Sequence, residues 1–268
     1  MEKFKRALLI LSVGFSLSTT SIIRADPVVQ QIDRLELDWG NLKVRFFGTY
    51  KPESGSESLA YADIEKRAVS EGLVYAQDKL TEIHRDALKR QGVSSELADR
   101  SAVQAGEAVT HYTYPYQTSF FNDGSVRVSL ESNLAKALAR RDGNFAKDAL
   151  EKRKEPRFSG LILRLDKAIK PVARYQVVDQ SGIHLFGVES MTREAYEKNL
   201  MGHWLVEPQR EELMKYVGAK PVSIQVKVIG EDRFMVQKGA WTDALQDSGL
   251  LLGEGRIALV LPNLEARP

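Results

Sequence analysis

The sequence predicts an α+β protein with two lobes, each an antiparallel or mixed sheet packed by helices, after an N-terminal signal peptide. Both halves contain runs with apolar residues at every second position, which are typical of half-buried strands. Other segments place apolar residues at three- and four-residue steps, which are typical of amphipathic helices. The predicted organisation is a signal peptide at 1–25, an N-terminal lobe at 26–133, a charged linker or helix at 134–157 and a C-terminal lobe at 158–263.

The first 25 residues have the pattern of a secretory signal peptide. A basic start precedes an apolar core at 7–17, and cleavage is predicted after Ala25. An uncleaved membrane anchor is the alternative, but this core is shorter than the roughly 20 residues that span a bilayer. The chain has no cysteine, which excludes disulfides, cysteine metal sites, a cysteine nucleophile and acylation at the cleavage site.

Charge gives no sign of a nucleic-acid or lipid partner. Residues 1–25 hold four basic residues and one acidic residue, so the remaining chain has 34 basic and 35 acidic residues. Its net charge is then −1, whereas the full chain carries +2. A near-neutral protein has no field that attracts it to nucleic acid or anionic lipid.

The N-terminal lobe is predicted to begin with a hairpin. The runs at 35–39 and 42–46 alternate apolar and polar residues and flank the dipeptide Gly40-Asn41, which predicts a two-residue turn. Opposite charges on the polar face are expected to pair across the strands. The predicted buried face consists of Leu35, Leu37, Trp39, Leu42, Val44 and Phe46.

Two helices are predicted next, at 59–89 and 95–107. The first has small residues, Ala68, Gly72 and Ala76, in the middle of its apolar face, which permits a close approach to a packing partner. The partner is either the sheet of the first hairpin or another helix in an assembly. Gly92 follows the first helix and Ser94 or Ser95 caps the second.

A second hairpin is predicted around the turn at 122–124, with a row of tyrosines on its first strand. Tyr112, Tyr114 and Tyr116 stand at alternate positions, and Pro115, which has no backbone donor, predicts a strand that either lies at a sheet edge or is kinked. The row is either the core face of this edge strand or an exposed aromatic surface that binds a partner subunit or a glycan. These tyrosines are the predicted partner-binding residues.

The C-terminal lobe is predicted to start with three strands within 158–187, where Asp179 and Gly182 form a tight turn. Helices at 192–200, 207–218 and 240–246 alternate with strands at 222–229 and 234–236. The nearly all-apolar run at 256–261 indicates a strand buried on both faces.

The order of these motifs resembles a known family. The motifs are Asp38-Trp39, the helix segment 67–72, the turn 122–124, the strand 159–162, the spacing Asp179, Gly182 and Gly187, and the triplet Glu254-Gly255-Arg256. The ordered set spans most of 33–261 and resembles the small Lpp-type lipoproteins and the FlgP-like flagellar basal-disk proteins. The resemblance implies an exported, non-enzymatic envelope protein of the outer membrane or the flagellar basal body. Many members are acylated on a cysteine that this chain lacks, so the expectation is a periplasmic protein without a direct lipid anchor, which associates with the outer membrane through a partner.

No catalytic, cofactor-binding or metal-binding residues are predicted. The histidines His84, His111, His184 and His203 have no metal-binding spacing and are expected to be solvated or hydrogen-bonded, with His84 on the polar or flanking side of the first helix. The glycines at 249–255 precede a strand and are not followed by the lysine of a phosphate loop.

The predicted function is therefore a structural subunit or accessory factor of an outer-membrane or flagellar complex. Its expected partners are envelope proteins, including further copies of itself in an oligomer or ring, and not nucleic acid. The alternative is a periplasmic module that binds a ligand in the cleft between the lobes.

Overall fold

The computed structural model describes residues 28–53, 60–138, 145–146, 158–245 and 253–262, and the side chains of 243–245 are not included. The predicted signal peptide, most of the charged linker and the start of the glycine-containing turn lie outside the described residues. The helices are α1 (Tyr61–Arg90), α2 (Ser95–His111), α3 (Leu134–Leu138), α4 (Arg193–Asn199), α5 (Arg210–Val217) and α6 (Lys238–Leu245).

Two sheets confirm the predicted α+β class. An antiparallel sheet has the order β1-β2-β3-β5-β4, and a mixed sheet has the order β8-β7-β11-β10-β6-β12-β9. The strands of the first sheet are β1 (Val29–Ile32), β2 (Leu35–Asp38), β3 (Lys43–Tyr50), β4 (Tyr114–Phe120) and β5 (Val126–Asn133). Those of the second are β6 (Gly160–Leu165), β7 (Gln176–Val178), β8 (His184–Phe186), β9 (His203–Val206), β10 (Pro221–Val228), β11 (Arg233–Met235) and β12 (Ile257–Leu261).

The first hairpin has the predicted buried face but a longer turn. All six residues of that face are at most 4% exposed. Asp38 pairs with Lys43, so the loop has four residues and the prediction of a two-residue turn is wrong. The Asp38 carboxylate accepts hydrogen bonds from the backbone and side-chain nitrogens of Asn41 at 2.8 and 2.9 Å, which stabilises the wider loop.

Helix α1 packs against the first sheet, which was one of the two predicted packing partners. A Cβ atom added at Gly48 of β3 would lie 1.8 Å from the carbonyl oxygen of Ala68, and one at Gly72 would lie 2.8 Å from the Gly48 nitrogen. Only glycine permits this approach of helix backbone to strand backbone. The small residues of α1 therefore fit the sheet, while α2 packs along the same helix.

The buried side of α1 repeats every four residues and turns around the helix. Its members are Ile64, Ala68, Gly72, Ala76, Leu80, His84 and Leu88. Because a helix advances about 100° per residue, each four-residue step rotates the stripe by roughly 40°. The early residues face the first sheet and the late ones face the second half of the chain. This rotation makes the prediction for His84 wrong, since its side chain is only 4% exposed.

Helix α2 continues to His111, four residues beyond its predicted end. Ala108 and Val109 in this extension are buried, so their packing stabilises the additional turn. The short helix α3 was predicted within the charged linker. Its Leu134 and Leu138 are buried in the same core, so the described start of that segment is packed helix.

The second sheet is built on four adjacent parallel strands, β10, β6, β12 and β9. All five residues of β12 are buried, which confirms the predicted strand at 256–261. The three strands predicted within 158–187 are β6, β7 and β8, and β10 and β11 lie between β6 and β7 in the sheet. Between β7 and β8 the Asp179 carboxylate accepts from the nitrogens of Ser181 and Ile183, both at 2.9 Å, and Gly182 has φ +80°. The predicted turn is therefore confirmed.

Two strands that the pattern did not predict, β1 and β9, lie near the contact between the sheets, where β9 bonds to the residue before β1 and the residue after β2. The backbone nitrogen of Trp204 on β9 donates to the Trp39 carbonyl at 3.2 Å, and the Val28 nitrogen donates to the Trp204 carbonyl at 3.4 Å. Beside them, His203 Nδ1 lies 2.9 Å from the Gly40 carbonyl oxygen. One cluster of buried side chains extends through both sheets, so the two halves share a core.

Candidate functional surfaces

A row of polar side chains crosses the first sheet on the face opposite α1. Glu36, Arg45, Glu131 and Tyr114 occupy directly paired positions on β2, β3, β5 and β4. Arg45 contacts Glu36 at 2.9 Å and Glu131 at 3.0 Å. The Tyr114 hydroxyl donates to Glu131 at 2.5 Å, and Lys43 Nζ lies 2.8 Å from the same carboxylate. The row ties four strands together and ends at the outermost strand.

Glu131 is the electrostatic centre of this row, with a side chain only 11% exposed. Burial alone would raise the pKa of Glu131, but hydrogen bonds from Lys43, Tyr114 and Arg45 outweigh it and lower the pKa to about 2. The hydrogen bond to Glu131 in turn raises the pKa of Tyr114. The Tyr114 hydroxyl is thus held protonated and oriented, and its ring is fixed at the sheet edge.

The three predicted partner-binding tyrosines are all exposed. Tyr112 is 43% exposed, and Tyr114 and Tyr116 are each 52% exposed. This exposure overturns the alternative that they form a core face. Tyr112 caps the end of α2, and a bulge between Pro115 and Gln117 interrupts the pairing of β4 at Tyr116. The rings therefore do not form a regular alternating row, although all three are accessible.

Exposed aromatic side chains lie along β4 and at the residue that follows it, and we call this set the edge patch. Its members are Tyr114, Tyr116, Phe120 and Phe121, which are 45–58% exposed. Tyr61, the first residue of α1, stacks edge-on against Phe120 with ring centroids 5.7 Å apart. In the described part of the chain no strand pairs with the outer side of β4. Aromatic side chains beside unpaired backbone groups are typical of protein-binding surfaces.

No charged residue lies on β4, whose sequence is YPYQTSF. Edge strands usually carry charges, proline or a bulge that prevent pairing with another chain. Here Pro115 and the bulge protect only the start of the strand. The remaining four residues, 117–120, keep a regular register with β5 and have no such protection.

A second candidate surface is a cavity of about 480 Å³ between the two halves, which we call the interlobe cavity. It is bounded by the end of α1, by Trp39 after β2 and by the segment 167–174 that leads from β6 to β7. Leu88, Leu138 and Val228 form an apolar floor. A cavity of this size lies within the range of about 300–1,000 Å³ that is common for small-molecule sites.

Basic side chains surround the interlobe cavity. Lys167, Lys170 and Arg174 come from the segment that covers it, and Arg90 at the end of α1 pairs with Glu231 at 3.1 Å. Arg174 Nε donates to the Tyr196 hydroxyl at 3.0 Å. Its Nη2 is buried and has no acceptor among the residues that the structure describes.

The histidines do not form a metal site. His184 Nε2 lies 3.0 Å from Glu189, and His203 stacks on Tyr216 with ring centroids 4.3 Å apart. Burial lowers the pKa of His203, which therefore favours its neutral form. Among the described residues, no group of three or more acidic or histidine side chains is placed to hold a metal ion.

Sequence reasoning did not identify Glu131 or the residues of the interlobe cavity. Glu131 follows three alternating apolar residues of β5 and looks like an ordinary outward-facing residue. Its partner Arg45 is 86 positions away in the chain, so only the sheet register reveals the pair.

A comparison with protein-family models and with curated proteins finds no match for this chain. In the ranges that the structure describes, no helix is both long and apolar enough to cross a membrane.

Proposed function

We propose that the protein is an exported, non-enzymatic component of a cell-envelope assembly, and that it associates with a second copy of itself through the edge patch. The observation that carries this proposal is the open outer side of β4, with exposed aromatic rings and no charged side chain. The ordered motifs that resemble FlgP-like proteins support an envelope location.

A second copy fits this edge because antiparallel pairing of two β4 strands brings two identical, uncharged segments together. No like charges oppose each other in such a pair. The exposed backbone groups of 117–120 gain hydrogen bonds, and the aromatic rings lose contact with water. Glu131 supports this arrangement, since it fixes Tyr114 before the partner arrives.

The test is the mass of the secreted form, residues 26–268, measured by light scattering over a range of concentrations, for the wild type and two variants. Tyr116→Lys removes an exposed ring and places a positive charge next to the paired segment 117–120, where pairing would take it out of water, and it is expected to give a monomer. Ile229→Lys is the matched control, because Ile229 is 45% exposed but lies after β10 in the other sheet. It is expected to remain oligomeric.

Chemical crosslinking locates the interface. Crosslinks between two copies are expected close to β4. A wild type that stays monomeric to about 100 µM, at which even weak interfaces are populated, would contradict self-association. Crosslinks from β4 to a different envelope protein would assign the edge to another partner.

The alternative function, a ligand-binding module, is favoured by one specific observation. That observation is the interlobe cavity, which has an apolar floor and several polar groups in its lining.

A further inference from the structure

We propose that the interlobe cavity binds an amphiphilic anion, a molecule with one carboxylate or phosphate group on an apolar body. This inference rests on the alternative function, binding between the lobes, and adds the chemistry of the ligand. Three features of the cavity carry it: the apolar floor, the excess of positive charge and a buried donor without an acceptor.

The apolar floor selects the body of the ligand. Trp39, Leu88, Leu138 and Val228 are at most 4% exposed and present their surfaces to the cavity. Removal of apolar surface from water is the main favourable term for a ligand in such a site. A sugar or another fully polar ligand would leave its hydroxyl groups without partners against this floor. Further apolar lining comes from Ile83, Ala87, Ile169, Pro171, Val172 and Ala173.

The charges around the cavity select the head group. Glu231 compensates Arg90, whereas Lys167, Lys170 and Arg174 have no acidic partner in the described ranges. The lining therefore carries a net charge of +3 when all five groups are ionised. An anion is attracted to this site, and a cation is repelled.

Arg174 gives the strongest indication of an anionic ligand. Its Nε is held by Tyr196, so the guanidinium has a fixed orientation, with its carbon 5.2 Å from the centre of the tyrosine ring. Its Nη2 is buried and donates to no described residue. A buried donor without an acceptor is costly, and a carboxylate or phosphate oxygen is the acceptor that a guanidinium binds best.

The segment 167–174 supplies both parts of the site. Ile169 and Val172 are half-buried against the core, while Lys167 and Lys170 are exposed. The Arg174 carbonyl accepts from Gln91 Nε2 at 3.3 Å, which joins the segment to the end of α1. The apolar body of a ligand would contact α1 and this segment at the same time, with its head group at the basic rim.

Calorimetric titration with four probes tests the ligand class. Decanoate and decyl phosphate carry the two anionic heads, decanol has the same chain without charge, and decyltrimethylammonium has the opposite charge. We expect both anions to bind, decanol to bind at least about tenfold more weakly, and the cation not to bind. Phenylpropionate in a parallel titration distinguishes an aromatic body from an acyl chain.

Variants with matched controls locate the binding. Ala87→Leu fills the cavity from a helix position and should weaken decanoate binding more than about tenfold, while Ala62→Leu on the exposed start of α1 should not. Lys170→Gln should weaken decanoate binding by about threefold to tenfold and reduce its salt dependence, while Lys66→Gln on α1 should change neither. Unfolding curves of each variant check that it is folded, and the controls make the same substitutions at exposed positions of α1 outside the cavity lining.

The results test the anionic class of the ligand and the ligand-binding function separately. Equal affinities for decanoate and decanol would overturn the anionic class and leave a ligand-binding module. Failure of all probes to bind would overturn both. Unchanged decanoate binding in Ala87→Leu would place the site elsewhere and refute the assignment of this cavity.

Discussion

Replacement of Glu131 by glutamine removes the charge at the centre of the polar row and leaves the shape of the side chain. In the wild type the carboxylate accepts hydrogen bonds from Arg45 and Tyr114 and pairs with Lys43. The amide of glutamine can accept from only part of this set, and its NH2 group faces positively charged donors. We therefore expect Glu131→Gln to destabilise the protein at neutral pH.

The lowered pKa of Glu131 sets the size of the effect. A fall from the ordinary value of 4.5 to about 2 corresponds to at most about 3.4 kcal/mol at neutral pH. The side chains of Lys43 and Arg45 are 41% and 37% exposed, so water screens part of the interaction. The expected loss is about 2 kcal/mol in the free energy of unfolding.

The destabilisation caused by Glu131→Gln is expected to depend on pH. Because folding lowers the pKa, the stabilisation is complete above pH 4.5 and is lost as the pH falls toward about 2. Urea unfolding of wild type and Glu131→Gln across this range should show curves that differ at neutral pH and converge in acid. Glu107→Gln, at an exposed position of α2, is the control and should match the wild type. A difference that stays constant with pH would refute the charge-based explanation.

Two further predictions concern glycines. Gly48→Ala should destabilise the protein by about 3 kcal/mol or more in urea unfolding, because the new Cβ would lie 1.8 Å from the Ala68 carbonyl oxygen. The control is Gly239→Ala in α6, where nothing lies within 4 Å of the added Cβ, and it should be neutral or slightly stabilising. Gly182→Val should lower the free energy of unfolding by about 1–2 kcal/mol and lower the melting temperature, because Gly182 has φ +80° in the turn after β7. An unchanged melting temperature would contradict the turn assignment. Gly230→Ala serves as the control.

The periodic parts of the fold could be predicted from sequence, and the unpredicted parts have identifiable causes. The long helix, both hairpins and the parallel core strands follow from apolar repeats and turn residues. Neither β1 nor β9 alternates apolar and polar residues, since β1 is VQQI and β9 is HWLV, and each has only four residues. Both are stabilised by their neighbours, since β1 pairs with β2 and β9 pairs with β12.

The candidate surfaces were less accessible to sequence reasoning. The alternate spacing of Tyr114 and Tyr116 fits a core face and an exposed face equally well, and the bulge that exposes Tyr116 has no clear signal besides Pro115. The error at His84 has a different origin. A helical face was assumed to be straight, whereas the four-residue repeat rotates along a helix of 30 residues. The late positions of α1 therefore face the interlobe cavity.

Helix α1 connects the two candidate surfaces. Its first residue, Tyr61, stacks on Phe120 of the edge patch, and Ile83 and Leu88 near its end line the interlobe cavity. Thirty residues span about 45 Å. The close backbone contact between Gly72 and Gly48 holds the helix against the sheet between these ends. The proposed ligand contacts at one end and the proposed partner contacts at the other therefore involve different residues of one anchored helix, so a substitution that abolishes one interaction need not disturb the other. This separation is what allows the light-scattering and calorimetric experiments to judge the two proposals independently.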